Sequence, residues 1–131
     1  ETTIKESCKQ CGRLHAPILH SPLSFQEALR SWTGRETQLS LVAALTPETR
    51  SVHQTISESP ESKYQTGASI WIGPEGDFTE EEYQQLFQRN ASPVSLGPHI
   101  LRSETAALAG LTLIVEATSL QGVSQRILTL L

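Results

Sequence analysis

Two nearly unbroken apolar runs, Leu39–Leu45 and Ala68–Ile72, constrain this chain more than anything else in it. Neither alternates apolar with polar residues, so neither reads as a strand with one face in water. Runs of this kind are strands covered on both faces. A third, shorter run, Pro93–Leu96, follows them. Stretches with helical signals separate the three. Strands alternating with helices fold as an α/β domain around a mostly parallel sheet. The 131 residues allow one such domain with a true core and are too few for two comfortable ones.

The helical stretches announce their ends. Ile4–Cys11 reads as the last turns of a helix stopped by Gly12. Ser24 and Glu27 have the spacing of a capping box, in which hydroxyl and carboxylate each satisfy a free backbone N–H. They open a helix to about Trp32, ended by Gly34. Thr79 and Glu82 repeat the device, with Glu80, Glu81 and Glu82 in the first turn, where the helix dipole favours acids. That helix is expected to reach about Asn90 and to carry Tyr83, Leu86 and Phe87 on one face. A last helix, from near Ser103 to about Leu120, is apolar nearly all round. It is expected to be buried, in part against a second copy of the chain. Signals elsewhere are weaker. Ala16–Leu19, with Pro17, fits a short strand; residues 48–58 a poorly patterned helix; 59–67 a loop; 122–131 a short strand or helix.

Charge and composition narrow the functions. A net charge of −4 argues against a surface built to bind polyanions throughout, so nucleic-acid contact needs a local basic patch or another domain. No apolar stretch approaches the roughly 20 residues that span a bilayer. The amino terminus lacks the apolar core of a signal peptide, and the cytoplasm is the expected compartment. The chain starts without Met, which suggests a piece of a longer polypeptide. Cys8 and Cys11 form a C-x-x-C, half of a zinc site with no second half, and neither His15 nor His20 completes a known spacing. Two ordinary thiols near a helix end, with no metal, are the expectation.

In open parallel sheets, ligands bind beyond the carboxyl ends of the strands. Three Pro-containing segments stand there: Thr46–Glu48, Gly73–Phe78 and Gly97–Arg102. The middle one, GPEGDF, poses a chemical question. Glycine loops after strands often hold phosphates, but a P-loop needs Lys and Ser or Thr after its glycines, and a dinucleotide fingerprint needs G-x-G-x-x-G. This segment has neither, and Glu75 and Asp77 would repel a phosphate. Either the glycines merely permit a tight turn, or the ligand is neutral or cationic and is read by backbone groups. In the third segment the polar residues Arg102, Ser103, Glu104 and Thr105 lie between apolar Ile100–Leu101 and the apolar last helix. Their polar groups are expected to be partly buried, unless Arg102 and Glu104 form a surface ion pair of little worth.

IGPEGDFTEEE followed by PVSLGPHILRSETAALAGL resembles the carboxy-terminal domain of the ribosomal RNA small-subunit methyltransferase E family, within the SPOUT methyltransferases. The family pattern is close to IGPEGGF-[ST]-x-x-E and then LG-x-[RN]-ILR-x-ETA. QCGRLHAPILHSPLSFQEAL is similar to its lead-in. The two motifs at this separation are specific together, and the resemblance spans nearly the whole chain. It implies that residues 1–131 are a SPOUT domain without the family's amino-terminal PUA-like RNA-binding domain. It implies an α/β knot: a parallel sheet whose carboxy-terminal segment threads a loop as a deep trefoil knot, an exception to ordinary topology. It further implies a homodimer with the last helix at its interface, S-adenosylmethionine as cofactor, and methylation of N3 of a uridine in small-subunit ribosomal RNA.

Carried over by motif, Ile72, Gly73, Pro74, Glu75 and Gly76 line the cofactor on one side, and Leu96, Gly97, Ile100 and Leu101 on another. Arg102, Thr105 and Ala106 join them from the start of the last helix, and Leu45 and Thr46 from the first loop. A sulfonium is a cation without a phosphate, which answers the question posed by GPEGDF. A bulky residue at Gly76 is expected to weaken binding. Uridine N3 holds a proton and the neutral imide is a poor nucleophile, so the proton must be removed or the anion stabilised. Arg102 is expected to stabilise the developing uridinate and Glu104 to orient Arg102. A carboxylate with an ordinary pKa of about 4 is too acidic to be an ideal base here. Asp77 stands where the family commonly has Gly, and His99 where it commonly has Arg. His99 and Arg13 are the expected RNA contacts, His99 a weaker phosphate ligand than Arg and Arg13 alternatively a dimer contact. Two other functions fit the same residues: a cofactor-binding dimerisation domain without independent activity, and a SPOUT methyltransferase with a different RNA target.

Overall fold

The computed structural model describes residues 2–12, 14–32, 38–46, 49–120 and 128–130. The chain divides into two compact units, Glu1–Ser31 and Trp32–Leu131. The first unit holds helices α1 (Thr2–Gln10) and α2 (Phe25–Ser31). Gly12 follows α1 at φ 68°, a left-handed stop that a side chain would resist. The capping box forms as its spacing requires: Glu27 N donates to Ser24 Oγ at 3.3 Å, and Ser24 N to Glu27 Oε2 at 2.9 Å. The hydroxyl and amide of Ser24 together hold the Glu27 carboxyl below its ordinary pKa. Between the helices, Ala16–Leu19 belongs to no regular element and is not a strand. Ile18 is 79% exposed, no strand among the described residues pairs with this segment, and Pro17 has no N–H to give a ladder. Gly34, the expected stop of α2, lies outside the described residues.

Among the described residues the second unit has five strands: β1 (Leu39–Ala43), β2 (Arg50–Ser51), β3 (Ala68–Trp71), β4 (Ser92–Ser95) and β5 (Leu128–Leu130). Their order in the sheet is β2-β4-β1-β3-β5, and every pairing is parallel. Helices α3 (Val52–Glu58), α4 (Glu61–Tyr64), α5 (Glu80–Gln88) and α6 (Ser103–Leu120) complete it. Strand residues alternate between faces. Leu39 and Leu41 of β1, Ala68 and Ile70 of β3 and Val94 of β4 cluster with Val52 and Ile56 of α3, Tyr64 of α4, and Ile114 and Ala117 of α6. The alternate positions of β1 and β3 are covered as well: Val42 is fully buried, and the Trp71 ring meets Trp32 edge-on at 5.7 Å. Burial on both faces is what the unbroken runs demanded. Gly110 brings α6 close to β3, because a Cβ there would come within 2.7 Å of Ile70 Cδ1.

Several weaker expectations change. Residues 59–67 contain α4, nucleated by burial of Tyr64, which is 5% exposed. The α3 helix has a capping box of its own: Gln54 N donates to Ser51 Oγ at 3.1 Å, and Ser51 N to Gln54 Oε1 at 3.3 Å. A glutamine in the third position is a quieter signal than glutamate. On α5, Tyr83 and Leu86 are buried while Phe87 sits at the surface. Helix α6 is not covered all round, since Leu108 is 70% exposed in the single chain. The described part of the tail is the edge strand β5.

Candidate functional site

Strand β1 has β4 on one side and β3 on the other, so the carboxyl ends of three adjacent parallel strands open at one edge of the sheet. The segments that leave them line a cleft of about 330 Å³. From β1 come Ala43, Ala44, Leu45, Thr46 and Thr49. Thr49 closes this loop by donating its Oγ1 and its N to Thr46 O, at 2.9 and 3.2 Å. Pro47 and Glu48 of the expected segment lie outside the described residues.

The second wall is Ile72, Gly73, Pro74, Glu75 and Asp77. Asp77 N donates to Pro74 O at 2.8 Å, closing a tight turn, and Asp77 itself sits at φ 65°. Left-handed backbone costs a residue with a side chain roughly 1–2 kcal/mol, with Asp among the residues that tolerate it. The carboxylate anchors the turn: its Oδ1 accepts from Phe78 N and from Tyr83 Oη, both at 2.8 Å. Gly73 makes this possible. A Cβ there would stand 2.9 Å from Asp77 Oδ1 and 3.2 Å from Phe78 N.

The third wall comes from Ser95, Leu96, Gly97, Pro98, His99, Ile100 and Leu101, with Ser103 and Ala106 of α6. Gly97 adopts φ 130°, which disfavours any other residue. Ser103 Oγ donates to Gly73 O at 3.1 Å and so ties the start of α6 to the second wall. Ser103 and Ala106, three apart, share the helix face that turns to the cleft.

Most of the expected lining is thus brought together: Leu45 and Thr46; Ile72, Gly73, Pro74 and Glu75; Leu96, Gly97, Ile100 and Leu101; and Ala106. Gly76, Arg102 and Thr105 do not line the cleft, and a Cβ on Gly76 would meet nothing within 4 Å. Arg102, Glu104 and Thr105 are exposed rather than partly buried, because the inward face of the first turn is taken by Ser103 and Ala106. Among the described residues the ion pair is Arg50–Glu58, and neither Arg102 nor Glu104 takes part in one. His99, expected at the RNA, lines the cleft itself. Arg13 lies outside the described residues. The sequence reading passed over Ser103, Asp77 as a cleft residue, and Tyr83 as its anchor. Only Ser103 carried a local signal, a hydroxyl at a helix start.

Among the described residues the lining has two carboxylates, Glu75 and Asp77, the imidazole of His99, and no Lys or Arg. Such a wall is hostile to phosphate and hospitable to a cation. Tyr83 is nearly buried, and desolvation, reinforced by the hydrogen bond to Asp77, pushes its phenol well above the ordinary value of 10.0. A raised phenol pKa stabilises the fold below the unfolded value and loses that contribution as pH climbs through the folded one. We expect urea resistance of the native chain to fall as pH passes 10.0, and Tyr83→Phe to remove that part of the fall. Equal alkaline loss in both proteins would exclude this origin. Among the described residues no group of three or more His, Cys, Asp or Glu could hold a metal ion, and Cys8 and Cys11 are free thiols. No described helix is long and apolar enough to cross a membrane.

Residues 1–115 match the profile of a family described as the RNA methyltransferase domain. The chain belongs to that family. Among its RNA methyltransferase relatives, the ribosomal RNA small subunit methyltransferase E of Buchnera aphidicola subsp. Schizaphis graminum is 33% identical over 112 residues, 86% of this chain and 42% of the relative. A putative methyltransferase from Legionella pneumophila, solved with bound cofactor SAM, superposes with a TM-score of 0.71 at 29% identity, covering 88% of this chain and 44% of that one. The methyltransferase E of Neisseria gonorrhoeae, bound to S-adenosyl methionine, superposes with a TM-score of 0.67 and shares the fold at 24% identity, over 92% of this chain and 45% of that one. The chain therefore spans less than half the length of these methyltransferase relatives.

Proposed function

We propose that the cleft binds S-adenosylmethionine and that the chain is the catalytic part of an enzyme methylating N3 of a uridine in small-subunit ribosomal RNA. The observation that carries this is the convergence of three strand-end loops on one cleft whose lining, among the described residues, has two carboxylates and no Lys or Arg. Its volume, about 330 Å³, falls in the range of small-molecule sites. When bound, the cofactor supplies a methyl group activated by a positively charged sulfur. Gly73 and Gly97 let backbone groups approach it, and Glu75 and Asp77 put negative charge on the wall. Solved relatives with bound SAM support the same reading.

Arg102 stands at the start of α6, exposed and outside the cleft lining. In this proposal its guanidinium meets the substrate rather than the cofactor and stabilises the uridinate formed when N3 gives its proton to solvent water. Glu104, two residues further along, orients Arg102 in this proposal. Arg102→Ala is then expected to lower methyl transfer about 10²- to 10³-fold. Affinity for S-adenosylhomocysteine should stay within roughly twofold, as for an exposed residue that does not touch the ligand. Calorimetry and transfer of labelled methyl to small-subunit RNA measure the two. Loss of cofactor affinity together with activity would move Arg102 into the cofactor site and overturn its assignment.

The proposal includes the carboxy-terminal trefoil knot and a homodimer. Leu108 on α6, 70% exposed, and Ile100, 81% exposed, supply apolar surface for a second copy. A second reading, a cofactor-binding dimerisation module, draws on the same exposed face and on Arg102, Glu104 and Thr105 facing solvent. Cofactor binding with no methyl transfer to any RNA, in a protein that also contains the remaining length found in relatives, would favour it. Methyl transfer to RNA at another base would favour a different target.

A further inference from the structure

Resting on the cofactor reading above, we infer that Asp77 is a charge-selecting residue of the cleft and that Tyr83 positions it, so that the site prefers a sulfonium ligand over its uncharged thioether product.

Four observations converge on this residue. Asp77 lines the cleft. Its Oδ1 lies so near Gly73, itself a lining residue, that a Cβ on Gly73 would come within 2.9 Å of it. The carboxylate's Oδ1 accepts from two neutral donors, the amide of Phe78 and the hydroxyl of Tyr83, each at 2.8 Å. Among the described residues no Lys or Arg lines the cleft, and Asp77 takes part in no ion pair. Neutral donors fix the position of a carboxylate without cancelling its charge, whereas a salt bridge would do both. Its charge therefore remains available to the cleft.

The backbone conformation adds weight. At φ 65° a glycine would meet no steric penalty, and the cost borne by Asp77 is offset by the hydrogen bonds its side chain makes. Tyr83 is itself fixed, stacked on Phe87 with centroids 5.8 Å apart and edge-on to Phe78 at 5.5 Å. The anchor is rigid because a helix carries it: Tyr83 lies in the first turns of α5, after the Thr79–Glu82 capping box.

S-adenosylmethionine and S-adenosylhomocysteine share adenosine and amino-acid parts and differ by one methyl and one positive charge. A fixed negative charge on the wall acts on that difference, and the shared parts do not feel it differentially. The consequence for an enzyme is a weaker hold on its own product.

The test is calorimetry of both ligands on the native chain, Asp77→Asn, Asp77→Gly and Tyr83→Phe, with thermal melts to verify folding. Asn keeps the shape and tolerates the left-handed backbone, and Gly relieves it altogether. Both are expected to lower affinity for S-adenosylmethionine about three- to tenfold, the range of a partly screened charge pair. Affinity for S-adenosylhomocysteine should stay within about twofold in Asp77→Asn, which keeps the Oδ1 acceptor, whereas Asp77→Gly, which removes the anchor of the turn, is read by the ratio of the two affinities alone. Tyr83→Phe keeps the charge but frees it, and is expected to lower the ratio of the two affinities by a smaller factor. If either neutral variant leaves the ratio unchanged, or weakens both ligands alike, Asp77 is not selective and the inference is wrong. If the native chain binds neither ligand, the cofactor reading fails and this inference with it. Native binding with an unmoved ratio sinks the selectivity alone.

Discussion

Replacing Gly73 by valine is expected to weaken S-adenosylmethionine binding about five- to hundredfold. The first added carbon already lands 2.9 Å from Asp77 Oδ1, 3.2 Å from Phe78 N and 3.3 Å from Phe78 Cδ2. One neighbour is backbone, and another is a carboxylate pinned by two hydrogen bonds, so neither yields without distorting the turn. Overpacking of this kind costs roughly 1–3 kcal/mol, and each ~1.4 kcal/mol lost in binding is tenfold in Kd. Gly73 O also accepts from Ser103 Oγ, so a displaced Gly73 disturbs two walls of the cleft at once. The control is Gly76→Val. A Cβ there meets nothing within 4 Å and Gly76 does not line the cleft, so its affinity should stay close to native. Calorimetry on the two variants discriminates. A severe loss with Gly76→Val and none with Gly73→Val would mean that the ligand lies elsewhere.

Ile70→Ala is expected to have the largest effect on stability, about 2–5 kcal/mol. Ile70 is fully buried at the middle of β3, paired through its strand with β1 on one side and β5 on the other. Its Cδ1 occupies the place where a side chain on Gly110 would begin, so it fills the seam between sheet and α6. Removing it leaves a cavity that the parallel ladders on both sides prevent from collapsing. Set against a total of roughly 5–15 kcal/mol for a domain, the change removes a large share of stability. Urea denaturation should show a lower midpoint with an unchanged slope. A shift below about 1 kcal/mol would show that the seam repacks and that the core is less rigid than its geometry.

How far the sequence could be read depended on whether a signal was local. Runs such as Leu39–Leu45 and Ala68–Ile72 had to be buried on both faces, and β1 and β3 are. The capping boxes at Ser24 and Thr79 were legible because donor and acceptor lie three residues apart in any helix. Ala16–Leu19 misled because four apolar residues state a preference for burial but not the existence of a partner strand. Helix α4 escaped notice because one aromatic, Tyr64, supplies its apolar contact, which is too little to make a period.

The cleft divides in the same way. That GPEGDF and LGPHIL leave the carboxyl ends of strands, and that the carboxylates of GPEGDF suit a cation better than a phosphate, was determined by the order of residues alone. Only the tertiary structure decided that Gly73 rather than Gly76 lies under steric constraint, that Ser103 rather than Arg102 faces the cleft, and that Asp77 is held by Tyr83. The physical reason is distance along the chain. Propensity, capping and burial are settled within a few residues, whereas the contact of Ser103 with Gly73 spans 30 positions and exists only once parallel strands have set those loops side by side.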